Sequence, residues 1–171
     1  MLFFKQNIEQ CNSIADLRIL ARKQLPRVMF DYIDGGADDE VTLYRNSEGF
    51  GRYELIPDTL VDVTNIDMST TILGKKIDLP IIFSPTGSNR LFHHHGELAV
   101  AAAAEKAGTI YSLSSMSTFN IEQVSKVGQG SKWFQIYVWK DRTVVKEFIQ
   151  RCKDSGYHSL CLTVDLPTLG Q

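Results

Sequence analysis

Two pairs of polar residues, each spaced two apart within a short apolar run, are the first places where this chain could do chemistry. Gln135 and Tyr137 lie within 133–138, and Thr163 and Asp165 close the run 159–164. In an extended strand that spacing puts both members of a pair on one face. A carboxamide and a hydroxyl form a neutral donor–acceptor set suited to a heteroaromatic ring with amide-like edges, and Tyr137 and Asp165 could serve proton chemistry. Two other apolar runs end in polar loops. Ser84-Pro85-Thr86-Gly87-Ser88-Asn89 follows 79–84. Its glycine lets a flat ligand approach the backbone, where free N–H groups can donate. Ser112-Leu113-Ser114-Ser115-Met116 brings a cluster of hydroxyls to the end of another run. Each residue also has a plain structural reading. A Gln or Thr on a buried strand often satisfies a neighbouring polar group, an Asp at a strand end often caps a helix, and Tyr137 is as suited to packing as to catalysis.

The elements that must position these residues are legible from periodicity. Ser13 is a candidate N-cap for a helix carrying Ile14, Leu17, Leu20, Ala21 and Leu25 at helical spacing. Pro26 opens a second helix, with Val28, Met29, Tyr32 and Ile33, which Gly35-Gly36 stops. A third, over 38–50, begins with Asp38, Asp39 and Glu40, which suit its N-terminal dipole. The stretch 71–77 reads as a small hairpin turning at Gly74-Lys75. From Leu79 strands and helices alternate. Strands are expected over 79–84, 109–113, 133–138 and 159–164, with helices over 96–107, after Asn120, and over 141–155. Helical crossovers make parallel pairing the natural result. A doubly wound sheet and a barrel share this local pattern. Polar or glycine-containing loops after every strand favour the barrel, because barrel enzymes place their chemistry at that end.

Composition narrows the class. The chain has 171 residues, 43% hydrophobic, and a net charge of −2, with Lys and Arg scattered rather than striped. That gives no reason to expect a nucleic-acid partner. Cys11, Cys152 and Cys161 are an odd set with no C-x-x-C pair, favouring reduced thiols in a reducing compartment. No apolar run approaches the ~18 residues of a spanning helix, and 1–7 lacks the basic-then-apolar order of a secretory signal. A cytoplasmic location is the expectation. His93-His94-His95 has no Cys or carboxylate set at ligand spacing beside it, so no metal is expected. Gly128-Gln129-Gly130 lacks the third glycine of a dinucleotide fingerprint.

Taken in order, Leu25-Pro26, Phe30-Asp31-Tyr32-Ile33-Asp34-Gly35-Gly36-Ala37, Val61-Asp62-Val63-Thr64, Pro85-Thr86-Gly87, Trp133-Phe134-Gln135-Ile136-Tyr137 and Leu162-Thr163-Val164-Asp165 form a recognisable series. It resembles the FMN-dependent α-hydroxy-acid oxidase and dehydrogenase family, which includes glycolate oxidase, L-lactate dehydrogenase and mandelate dehydrogenase. The resemblance implies an α/β fold: the N-terminal part of a TIM (β/α)8 barrel, about four βα units, preceded by a helical segment and a small hairpin. It implies one incomplete domain over 1–171, with helices and hairpin over 1–78 and the first half of the barrel over 79–171.

The same resemblance implies roles. Pro85, Thr86 and Gly87 match the segment whose backbone lies beside the flavin of FMN. Ser114, Gln135 and Thr163 match residues that hydrogen-bond its ring system. Tyr32 matches the tyrosine that binds the substrate carboxylate, and Tyr137 the one beside the hydroxyl-bearing carbon. Asp165 matches the carboxylate that orients a catalytic histidine. The implied reaction oxidises a small L-2-hydroxy acid to the 2-keto acid, with electrons passing from FMN to oxygen, a quinone or a cytochrome, in a homo-oligomer. Peripheral membrane association of the whole enzyme is left open. Met116 stands where plant-type glycolate oxidases carry a tryptophan, which points to a substrate larger than glycolate.

The chain stops after what reads as the fourth strand. The family's later strands bring the histidine, an arginine, a lysine and the phosphate loops, so the chain alone is expected to purify colourless and inactive, with open sheet edges. His158, preceding the fourth strand, lies at the wrong end to replace the base. A non-catalytic interaction module derived from the family is the alternative; another FMN barrel, an isopentenyl-diphosphate isomerase, is disfavoured by the Tyr32 segment and the Gln135/Tyr137 pair.

Overall fold

The computed structural model describes residues 8–166 and Thr168. The sequence readings of 1–7 and of the chain's last residues lie outside that range. The chain divides into two compact units, one holding residues up to Pro57 and the other Asp58–Thr168.

In the first unit, helix α1 (Ile14–Gln24) starts as expected at Ser13, whose hydroxyl accepts the Asp16 N–H at 3.2 Å. Helix α2 (Arg27–Asp34) follows Pro26 directly. The two helices are joined by a bidentate ion pair from Arg18 to Asp34, and Leu20 and Phe30 supply the buried apolar contacts. Helix α3 (Val41–Glu48) is shorter than the 38–50 expected. Asp38 and Glu40 adopt positive φ values of 52° and 57°, so the acids form the turn before the helix rather than its first turn.

The second unit opens with a hairpin of β1 (Thr70–Ile72) and β2 (Lys75–Ile77). The turn falls one residue earlier than expected, on Leu73 and Gly74, with φ of 48° and 77°. Two central residues with positive φ match the twist of the flanking strands, and glycine takes one of them at no steric cost.

Next come α4 (Gly96–Lys106), β3 (Tyr111–Leu113), α5 (Ile121–Ser125), β4 (Lys132–Ile136), α6 (Arg142–Asp154) and β5 (Ser159–Leu162). The strands form a parallel sheet in the order β3-β4-β5. Register pairs Ser112 with Trp133 and Gln135 with Cys161. The run 79–84 was expected to be a full strand. It makes a single parallel bridge, Phe83 to Tyr111, with Phe83 N–H bonded to Ile110 O at 3.0 Å. Pro80 has no N–H to give a ladder, and the Ile81 N–H is turned onto Leu79 O at 2.8 Å. The segment still flanks β3, so neighbours in sequence are neighbours in space.

Strand alternation divides the sheet into two faces. Tyr111, Leu113, Phe134 and Ile136 face the helices and form the core with Ala101, Ala104, Ile121, Val124 and Cys152. Ser112, Trp133, Gln135 and Cys161 share the opposite face. Helix starts follow the sequence: Asn120 and Gln123 make a capping box, and the Asp141 side chain accepts the Thr143 N–H. β5 is an edge, with Leu160 and Leu162 exposed. No helix among the described residues is long and apolar enough to cross a membrane.

Candidate functional site

Gln135 is the hub of a hydrogen-bond network at the carboxyl end of the sheet. It sits one residue before the end of β4, and its side chain is almost fully buried. Its Oε1 accepts from Ser114 Oγ at 3.2 Å, Ser115 N–H at 3.0 Å and Ser115 Oγ at 3.1 Å. Its Nε2 donates to Thr163 Oγ1 at 2.6 Å. Thr163 lies just past β5, yet its N–H still bonds Ile136 O at 3.2 Å, so the ladder fixes its position. Three donors occupy the Gln135 carbonyl. Its second amide hydrogen and the Thr163 hydroxyl hydrogen meet no acceptor among the described residues.

The network extends to the loop after the Phe83 bridge. Ser114 Oγ accepts the Met116 N–H at 3.1 Å, and Met116 O accepts the Ser88 N–H at 3.0 Å. A Cβ on Gly87 would lie 3.0 Å from the Met116 Cβ, so the two loops approach as closely as a glycine allows. The Thr86 hydroxyl donates to Asn89 Oδ1 at 3.0 Å. Asn89 Nδ2 and Trp133 Nε1 are buried without a partner among the described residues. Pro85, Thr86, Gly87, Ser114, Gln135 and Thr163 therefore form one contiguous group.

Tyr137 and Asp165 leave their strands at the same end but stand outside this network. Both lie beyond the last paired residue of their strand, so the shared face expected for Gln135 and Tyr137 ends with Ile136. Tyr137 is half-buried, its ring 6.3 Å from that of Trp139. Asp165 is exposed. Tyr32 belongs to the first unit, on α2, and is 73% exposed. The rings of His93, His94 and His95 lie close together, tilted against one another with centroids 3.9–5.4 Å apart. Among the described residues no group of His, Cys, Asp or Glu is arranged to hold a metal ion.

Sequence reasoning passed over Glu97, which is fully buried beneath these loops. It accepts hydrogen bonds from Asn89 N–H and Thr118 N–H on one oxygen and from the Thr118 hydroxyl on the other. Burial and the negative Glu97 together push the buried Tyr111 phenol well above its ordinary range. An acid in the first turn of a helix is common enough that sequence offers no separate signal for this one.

A run of parallel βα units with polar side chains gathered at the strands' carboxyl ends fits an α/β scaffold of the barrel type. The family described as FMN-dependent dehydrogenase matches residues 21–171, and the chain belongs to that family. Glycolate oxidase of Spinacia oleracea is 43% identical over 162 residues, 95% of this chain and 44% of that protein. Glycolate oxidase 1 of Zea mays is 43% identical over the same span, with the same coverage. Among solved structures, a mandelate oxidase superposes with a TM-score of 0.87 at 37% identity, covering 93% of this chain and 46% of that one. A soluble mutant of the membrane-associated (S)-mandelate dehydrogenase from Pseudomonas putida gives 0.86 at 36% identity, covering 92% and 45%. The chain thus spans a little under half the length of the relatives it matches. These neighbours are TIM barrels, matched here by preceding helices and parallel strands.

Proposed function

We propose that this chain supplies the flavin-ring face, and part of the substrate face, of a site that oxidises a small L-2-hydroxy acid to the 2-keto acid with FMN. The observation that carries the reading is the Gln135 network. Its carbonyl is occupied by three donors, which fixes the amide and leaves one Nε2 hydrogen and the Thr163 hydroxyl hydrogen without an acceptor among the described residues. Neutral donors of this kind fit the carbonyl and ring-nitrogen edge of an isoalloxazine. The Gly87 N–H likewise meets no acceptor among the described residues, and the backbone of Pro85, Thr86 and Gly87 is open to a flat ring. FMN, when bound, accepts the two electrons released by the hydroxy acid.

The chain's own residues then have distinct tasks. Ser114, Gln135 and Thr163 orient the ring; Tyr32 binds the substrate carboxylate, and Tyr137 hydrogen-bonds the substrate near its hydroxyl-bearing carbon. Asp165 would steady a histidine that takes the proton, and no histidine bonds it among the described residues. Met116, 56% exposed beside Gly87, leaves a pliable wall and favours a 2-hydroxy acid larger than glycolate. We read both units as parts of one family domain, in a cytoplasmic homo-oligomer that passes electrons to oxygen, a quinone or a cytochrome. FMN titration of the chain followed by flavin absorbance tests the reading. Gln135→Leu and Thr163→Val should weaken binding about 10-fold, the scale of a site built to hydrogen-bond its ligand losing one donor. Binding indifferent to both substitutions would remove the support for it.

A further inference from the structure

Glu97 is fully buried, yet no Lys or Arg among the described residues pairs with it. Its place in the first turn of α4 invites the ordinary explanation of an acid at a helix N-terminus. Its hydrogen bonds point elsewhere. Oε1 accepts the Asn89 N–H at 3.3 Å and the Thr118 N–H at 2.8 Å, and Oε2 accepts the Thr118 hydroxyl at 2.5 Å. These donors come from two loops, the one that follows the Phe83 bridge and the one that follows β3. A buried carboxyl group without a cation is costly unless several donors offset it. Here the donors that offset it are those that tie the two loops together.

The same loops carry Gly87 and Ser114. From Glu97 the restraint runs through Asn89, whose Oδ1 holds the Thr86 hydroxyl at 3.0 Å, to the residue before Gly87. On the other side it runs through Thr118 back toward Met116, which Ser88 and Ser114 both bond. Arg90 lies 5.1 Å over the Phe119 ring and adds a second contact between the loops. We propose that Glu97 is a positioning residue: it clamps the two loops in the register that presents Gly87 and Ser114 to the cofactor ring. The clamp is a property of the chain; its purpose rests on the FMN reading given above.

Amide hydrogen exchange of the cofactor-free full chain, resolved by NMR, tests the clamp. Glu97→Ala should speed exchange at Ser88, Asn89 and Thr118 by about 10-fold or more, the scale of losing a hydrogen bond to a charged acceptor. Phe134 and Ile136 in β4 should keep their wild-type rates. Glu97→Gln should restore slow exchange, since its Oε1 can accept both amides while the Thr118 hydroxyl turns to accept from Nε2. FMN affinity should follow the same order, about 10-fold weaker for Glu97→Ala and near wild type for Glu97→Gln. If Glu97→Ala does not fold, Thr118→Val carries the test: deleting a hydroxyl on one loop should speed exchange at Asn89 on the other. Unchanged exchange at Asn89 and Thr118, equal acceleration throughout β4, or Glu97→Gln behaving like Glu97→Ala would overturn the proposal. The chain is expected to hold FMN too weakly to purify with it, so only a wild-type chain that shows no FMN-induced change even at high FMN concentration would count against the cofactor reading, and the exchange result would still decide the clamp.

Discussion

At the amino end of the parallel strands Glu105 fills a backbone nest, whereas at the carboxyl end Gln135 keeps a hydrogen to spare. Glu105 accepts the N–H groups of Gln129 and Gly130. Lys132, buried on β4, directs its Nζ to Gly128 O at 3.4 Å and Gly130 O at 3.2 Å. His158 is bonded through Nδ1 to Ser131 Oγ at 3.2 Å. A cleft of about 380 Å³ lies here, lined by Lys75, Asp78, Glu105, Thr109 and His158 among others, and of these the side chains of Glu105, Thr109 and His158 are bonded within the chain. At the opposite end the Gln135 network is built from neutral polar groups and is incompletely used. An end whose polar groups are consumed internally serves stability; an end with donors in surplus can serve a ligand. The size of a cleft does not separate the two ends; the contrast lies between Glu105, whose oxygens are both used by the chain, and Gln135, whose amide is not.

The scaffold common to both ends should show the largest effect. Phe134 is fully buried, stacked on Phe148 at 5.7 Å and edge-on to Tyr157 at 6.2 Å. Phe134→Ala should cost about 3–5 kcal/mol in urea unfolding. Loss at one end only would mean that the two ends do not share a core.

A crossed pair of substitutions separates the ends next. Glu105→Ala leaves two amides without their acceptor and should cost about 1–2 kcal/mol of stability while FMN affinity is unchanged. Gln135→Leu should reduce FMN affinity about 10-fold. Equal effects of both on affinity would erase the distinction.

The smallest effect concerns the ion pair that joins α5 to α6. Arg151 holds Glu122 through two bonds of 2.8 and 2.9 Å and depresses its carboxyl to about 2. The folded pKa lies below the unfolded value of ~4.3. The pair's contribution is therefore complete above about pH 4.3 and fades as pH falls toward 2. Both side chains are about a third or more exposed, so the contribution should stay below about 1 kcal/mol and shrink in salt. Unfolding of wild type and Glu122→Gln across that pH range measures it, and the difference between them should vanish at the acid end.

Much of this arrangement was legible before any coordinates. Caps at Ser13 and Asn120 and the alternation from Leu79 onward are local signals, and local signals place local structure. Residue type and strand end grouped Gln135, Thr163 and Ser114, but strand spacing paired Gln135 with Tyr137 and Thr163 with Asp165, and Tyr137 and Asp165 lie past the ladders that would have held them on one face. The bridge at Phe83 was over-read as a strand because Pro80 limits pairing that the apolar run alone suggests. Glu97 looked like any acid at a helix start. Glu105 left a faint trace: an acid in the last turn of α4 opposes the helix dipole, which hints at an outside partner. Contacts between loops distant in sequence leave no periodic mark, which is why both carboxyl groups were missed.

The most direct test of the central claim is an NMR titration of the full chain with FMN, following each backbone amide. The account predicts saturable shifts gathered at Gly87, Ser88, Ser115 and Thr163, with Gln129, Gly130 and His158 unmoved. Shifts centred on the amino end, or none at the Gln135 network at saturating FMN, would contradict it.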